Sequence, residues 1–309
     1  MINDYVLAED YHADKLPGVD QPCLSSSIAK ILLARSPLHA WAAHPKLGNV
    51  PREKGEDDKF DYGSACHDVL LEGGSKLVIL NPEDYRSKPT KADPEGSIPK
   101  GWTNNAIREA RAACQADGKL PLLPSQGNRV QKMVEIAKRH IAESEWNEAW
   151  NGSRKEVTCT WQEHGIWLKC RFDALSTKHR FIGDYKSSVS ANPRWFTNHL
   201  IRMGYHLQDA FYRRGAEANG IEYPRFVFLA QEVGAPHACS WHTTDADLFL
   251  IAKREIDHAV MLWAECLQTG KWPGYGQECT EAKPTSWMME QAVADGTFDL
   301  GYTEEANES

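Results

Sequence analysis

Three consecutive stretches near the middle of the chain constrain its fold most. Glu156-Val157-Thr158-Cys159-Thr160-Trp161 alternates and is rich in β-branched residues, and Ile166 to Leu175 and Arg180 to Lys186 repeat the pattern after short polar turns. A period of two marks strands on a half-buried sheet, and turns this short predict a three-stranded antiparallel meander. Elsewhere the apolar period is mostly helical. The order of helices, three strands, helices, two strands and a helix predicts a mixed α/β (α+β) fold around one central sheet.

The flanking segments follow from caps and breakers. Residues 1–22, with Pro17 and Pro22, read as an extended lead-in. Ser25-Ser26-Ser27 precedes the apolar run Ile28 to Arg35 as N-cap chemistry, and Ser36-Pro37 ends that helix. Residues 44–59 read as a loop, Asp61 to Leu71 as a helix, and the proline-rich stretch 81–103 as a long loop or lid. Helical patterns follow at 104–116 and 127–145, separated by 118–126, then at 193–202 and 205–219. Strands at 225–233 and 238–242 lead to a long helix, 245–269, that closes at Gly270; 271–309 reads as a loop-like acidic tail. We expect one domain over 1–309: a mainly helical part at 24–150, a sheet core at 155–270 and the tail.

Composition excludes several classes. The 41% apolar content supports a sizeable core and argues against disorder. No run approaches the ~18 apolar residues of a membrane-spanning helix, and the first residues lack a secretory pattern. Eight cysteines without a C-x-x-C pair predict free thiols in a reducing cytoplasm and no structural zinc. Lys plus Arg is 35 against 43 Asp plus Glu, a net charge of −8. That excludes a basic coat over the whole surface but leaves room for a local basic groove, or for a metal that handles phosphate charge.

The chemistry concentrates in the second hairpin of the meander. With its turn centred between Lys178 and His179, Asp173 faces Asp184 directly, on one face and within ~4.5–5.5 Å at Cβ. Two carboxylates that close repel unless a cation lies between them. Lys186, two residues beyond Asp184, projects on the same face. Oxygen donors with an incomplete shell suit Mg²⁺ or Mn²⁺, which activates water and offsets charge at a phosphodiester; the ammonium favours hydroxide beside it. An ordinary surface salt-bridge cluster is the bland alternative. Glu156, at the start of the first strand, could approach the metal or could be a solvated strand-end glutamate.

Asp173 with Gly183-Asp184-Tyr185-Lys186-Ser187-Ser188 resembles the core of PD-(D/E)XK nucleases in its D…GDYK-[ST] form. Gly63-Ser64-Ala65-Cys66-His67 resembles the G-x-x-x-H helix motif of the RecB-like and RecE-like branches. Tyr205-His206-Leu207-Gln208-Asp209-Ala210-Phe211-Tyr212 resembles their Q-x-x-x-Y motif, in wording close to RecE-type, exonuclease VIII-like, often phage-encoded enzymes. Leu24-Ser25-Ser26-Ser27 with Ser36-Pro37 resembles the family's first helix, so the motifs run in family order over about 24–212.

The resemblance implies an enzyme that degrades linear double-stranded DNA 5′→3′ and leaves 3′ single strands for recombination or annealing. It implies Mg²⁺, with Mn²⁺ able to substitute, held by His67, Asp173, Asp184 and the Tyr185 carbonyl. Lys186 would orient or activate the water, with Gln208 and Tyr212 close to the active site and the DNA backbone. It further implies DNA ends as partner, a ring-shaped homo-oligomer, a possible single-strand annealing protein, and the cytoplasm of a bacterial or phage-infected cell, with no membrane. An iron–sulfur cluster, carried by some relatives, is not expected: Cys23 lacks partners, and Cys266 and Cys279 have no close third. Arg35, Arg171 and Arg194 are candidates for a 5′-phosphate pocket. Trp102 and Trp195 are candidates for DNA contact, whereas Trp161, Trp167 and Trp241 read as core. Ser187 and Ser188 read as caps of the next helix, and Arg202 with Arg213-Arg214 as a solvated face or a groove lining. The rivals are another nuclease of this fold (an endonuclease or a RecB-like single-strand exonuclease), a catalytically silent DNA-binding protein, and a non-nuclease metal-dependent hydrolase.

Overall fold

The computed structural model describes residues 1–3, 6–50, 61–222 and 224–297. Residues 51–59 of the loop expected at 44–59 lie outside them. The chain divides into two compact units, Met1–Gly274 and Tyr275–Ser309.

The first unit opens with β1 (Ile2–Asn3) and α1 (Ala8–His12), so the stretch read as extended carries one short helix. β2 (Leu24–Ser25) runs into α2 (Ser26–Ala34), whose first turn is capped by the Ser25 hydroxyl accepting from the Ile28 N–H. Ser36 ends that helix and also caps the next, α3 (Pro37–Ala43), with Pro37 in the first turn, where a missing N–H costs nothing. Asp61 caps α4 (Tyr62–Glu72) by accepting from the Gly63 and Ser64 N–H groups, and Gly73, at φ 75°, stops it. Next come β3 (Leu77–Ile79), a 3₁₀ turn at Pro82–Tyr85, α5 (Asn105–Ala116), β4 (Leu120–Leu122), α6 (Pro124–Ala142) and α7 (Asn147–Asn151). The meander is β5 (Arg154–Glu163), β6 (Ile166–Ser176) and β7 (Phe181–Ser188). After it stand α8 (Pro193–Arg202), α9 (Tyr205–Ala218), β8 (Arg225–Glu232), β9 (Cys239–His242) and α10 (Ala246–Thr269). In the second unit, α11 (Ser286–Ala294), capped by Thr285, corrects the reading of 271–309 as loop throughout.

The central sheet has seven strands in the order β1-β5-β6-β7-β8-β9, with β2 also paired to β6. β7 and β8 are parallel and the rest of the main path is antiparallel, so the sheet is mixed. β3 and β4 form a separate parallel pair. Helices cover both faces. β8 shows why: Phe226 and Phe228 join one apolar cluster with Ile28, Phe211 and Trp263, while Val227 and Leu229 join a second with Cys66, Met133 and Trp150. A strand buried on both sides reads as an unbroken apolar run. The first cluster is roofed by α2, α9 and α10, the second by α4, α6 and α7.

Candidate metal and catalytic centre

β6 makes the site by parting from its neighbour. Near its start it pairs with β2 at Leu168 and Lys169; its last three residues pair with β7. That ladder runs Ser176↔Phe181, Leu175↔Ile182, Ala174↔Gly183 and ends, in the register expected from the sequence. Asp173 and Asp184 are the next step, where the strands fork. The Tyr185 N–H donates to Asp173 Oδ2 at 2.9 Å, so a side chain satisfies it where the ladder has stopped.

On the other edge of β6, Lys155 pairs with Ala174 and Val157 with Phe172; Glu156, between them, drops out of the ladder at φ 54°. Positive φ is uncommon for a residue with a side chain and costs of order 1 kcal/mol or more. The pleat slips there: Phe172 and Leu175, three apart, both face the α9–α10 cluster, where unbroken alternation puts them on opposite faces. Glu156, Asp173 and Asp184 therefore occupy one row across three adjacent strands.

α4 brings His67 to this row. A Cβ on Gly63 would lie 2.1 Å from Ser187 Oγ and 2.9 Å from Ser187 Cβ, so only glycine lets the first turn of α4 press against β7. One turn later, His67 Nε2 lies 3.4 Å from Glu156 Oε1 and 3.4 Å from Asp173 Oδ2. At the other end of the row, Asp184 is buried; its Oδ2 pairs with the Lys186 ammonium and its Oδ1 accepts from Gln208 Nε2 at 2.6 Å. Arg171 holds Glu156 through Nε to Oε2 at 2.6 Å, and its Nη1 donates to the Val6 carbonyl and the Thr158 hydroxyl.

The charges explain one another. Burial opposes a charged His67, but the charge and hydrogen bond of Asp173, then Glu156 and Asp184, push its pKa up to about 9. The imidazolium thus lies where a cation would lie, and chiefly through it Asp173 stays below the usual carboxylate range despite burial. Burial, with the charge of Asp173, raises Glu156, and Asp184 is pushed up to about 6, again mainly by burial. Burial disfavours the Lys186 ammonium, but Asp184 and Asp173 raise it above its ordinary value, so it is a donor and a positive charge.

The donor set fits a divalent cation. One ligand atom each from His67, Glu156 and Asp173 lie within 4.8 Å of one another. Glu156 Oε1 is buried with no hydrogen-bond partner and faces the charge of His67. Two clefts meet at His67 and Glu156. One, ≈ 490 Å³, is lined by Gly63, Tyr185, Lys186 and Tyr205 among others; the second, ≈ 560 Å³, by Ser25, Lys169, Arg171, Asp173 and Tyr212. Water and substrate oxygens can thus approach the row from two sides.

Of the residues singled out in the sequence, His67 contacts Asp173, while Lys186 and Gln208 contact Asp184, and the Tyr185 N–H links the two groups through Asp173. Asp184, expected as a metal ligand, engages Lys186 and Gln208 with its oxygens and lies outside the cluster of His67, Glu156 and Asp173. Tyr212 sits apart, buried edge-on against Phe172 and Phe226 with part of its surface on the second cleft. Glu156, left open between two readings, belongs to the row. Ser187 packs against Gly63 and the cap of α8 is Asn192, so neither Ser187 nor Ser188 caps that helix. Arg213 is bound to Asp209, and Arg214 to Glu163 and Asp257, so these arginines serve the fold.

Fold and site define a class, and comparison with known proteins agrees. Residues 25–285 match the family described as "PDDEXK-like domain of unknown function (DUF3799)". The chain belongs to that family, and with it to the PD-(D/E)XK superfamily that its motifs resemble. No curated protein matches it. Among solved structures it is similar to a candidate exonuclease from Eubacterium rectale at 14% identity and a TM-score of 0.55, over 93% of this chain and 98% of that one. At that identity the likeness concerns the fold. A second structure, SSO0001, overlaps 64% of this chain and 84% of its own at 14% identity, but with a TM-score of 0.26 it bears no argument.

Proposed function

We propose that this protein is a Mg²⁺-dependent exodeoxyribonuclease that degrades linear double-stranded DNA 5′→3′ and leaves 3′ single strands. The observation that carries the proposal is the row Glu156–Asp173–Asp184, with His67 over one end and Lys186 at the other. A divalent cation held by His67, Glu156 and Asp173 would supply a water of lowered pKa and counter-charge to the phosphate, with Asp184 beside it holding Lys186.

The chain's own groups do the rest. Lys186, held by Asp184, directs its ammonium at the attacking water and the developing phosphate charge, and Gln208 fixes the Asp184 carboxylate that holds it. Glu156 is fixed by Arg171, and Asp173 by the Tyr185 N–H. The similarity to a candidate exonuclease supports end-directed cleavage. Of the three arginines considered for the terminal phosphate, we assign the role to Arg171, which lines the second cleft beside Lys169 and Ser25 while it also holds Glu156. Ring assembly around the duplex would let an acidic protein stay on its substrate by topology.

The test is linear duplex DNA labelled at its 5′ or 3′ ends, with and without Mg²⁺, beside a covalently closed circle and a Lys186→Ala variant. The proposal predicts Mg²⁺-dependent loss from 5′ ends, an intact circle and an inert variant. A cut circle would make the protein an endonuclease, and DNA binding without cleavage would make it a silent binder.

A further inference from the structure

The nuclease reading uses the row at the fork and leaves α8 unexplained. This helix begins seven residues after Lys186 and contains Arg194, His199 and Arg202 but no Asp or Glu, in a chain of net charge −8. Phe196 and Leu200, almost fully buried, anchor it, so packing does not require Trp195. Trp195 is 36% exposed. It stacks on His199, one turn away, with ring centroids 4.8 Å apart and planes 18° from parallel.

The rings continue inward. His199 meets Tyr205 edge-on at 5.9 Å, and the Lys186 ammonium lies 5.0 Å from the Tyr205 ring centroid. Lys30 approaches the same ring at 5.6 Å, and Arg202 lies 3.3 Å from His199 Nδ1. Burial, with the charge of Arg202, lowers the His199 pKa, which favours a neutral ring. An aromatic ladder flanked by cations therefore leads from the surface of α8 to the catalytic ammonium.

We propose that this ladder binds single-stranded DNA, with bases stacking on Trp195 and phosphates meeting Arg194 and Arg202, and leads the strand to Lys186. Every base has a π face, so such a platform suits an enzyme that must accept any sequence, and cations beside it hold the backbone. The inference rests on the nuclease reading for the strand's destination, while the binding itself is independent of hydrolysis.

The experiment measures binding of a single-stranded oligonucleotide containing 2-aminopurine to the whole 309-residue chain in EDTA, where no metal-dependent cleavage interferes. Wild type, Trp195→Ala and Trp195→Phe are compared after circular dichroism shows all three folded. Trp195→Ala should weaken binding roughly tenfold, the scale of one base–aromatic stack, and lose the quenching of 2-aminopurine; Trp195→Phe should restore most of both. Unchanged affinity and quenching in Trp195→Ala would overturn the inference. A wild type that cleaves nothing but binds in this pattern would overturn the nuclease reading instead.

Discussion

His67 carries the clearest pH signature. In the metal-free protein its pKa of about 9 exceeds the ordinary 6.5, so the folded state holds this proton more tightly than the unfolded chain. That stabilisation is fully present below pH 6.5 and is lost as pH rises through about 9. Metal-free protein should therefore melt at lower temperature at pH 9 than at pH 6.5, and His67→Gln should flatten this part of the profile; a slope unchanged in the variant would show that His67 does not hold the proton. Lys186→Ala should reduce cleavage by roughly 10²–10³-fold or more, the value of a donor aimed at developing charge, without loss of fold by circular dichroism. The placement of Asp173 opposite Asp184, with Lys186 beside them, was legible from hairpin register, while their reading as a site rather than a salt-bridge cluster came from the family resemblance. Glu156 could have been placed too: the two-residue turn His164-Gly165, with φ of 48° and 76°, sets a β5–β6 register that puts Glu156 opposite Asp173. What the sequence does not show is the positive φ that takes Glu156 out of the ladder, because nothing local demands it.

Among elements, α4 depends on one contact with β7. Gly63→Ala should drive the helix from Ser187 at a cost of about 1–3 kcal/mol and carry His67 off the row, lowering stability in urea melts and cleavage together. Gly63→Ala with Ser187→Gly should recover much of the stability, and failure to do so would show that the contact is not what limits the helix. The long amphipathic helices α8, α9 and α10 and all three meander strands were readable, because periodicity and caps agree over many residues. β3 and β4 were not. Each has three residues, β4 contains Pro121, and both exist because Lys76 to Leu80 and Leu120 to Leu122 meet in space. The five-residue α7 is too short for a period to stand out, and α11, as long as α2, buries no residue and so carries no apolar stripe to read.

At the scale of the whole molecule, a chain of net charge −8 gathers His67 and Lys186 with three carboxylates at one fork in a mixed sheet. No described helix is long and apolar enough to cross a membrane. Both helical layers serve the fork: α4 carries His67 from one face, and α9 carries Gln208 from the other. Linear DNA should disappear under Mg²⁺ while a closed circle survives, because the account ties cleavage to ends. The measurement that tests the central claim most directly is calorimetric titration of the metal-free protein with Mn²⁺ and Mg²⁺ near neutral pH, repeated in buffers of different ionisation enthalpy. If His67, Glu156 and Asp173 form one cation site, binding should release close to one proton, the proton of His67. His67→Gln should lose the proton release, and Glu156→Gln and Asp173→Asn should weaken binding. No saturable binding, or binding that these three substitutions leave untouched, would contradict the account.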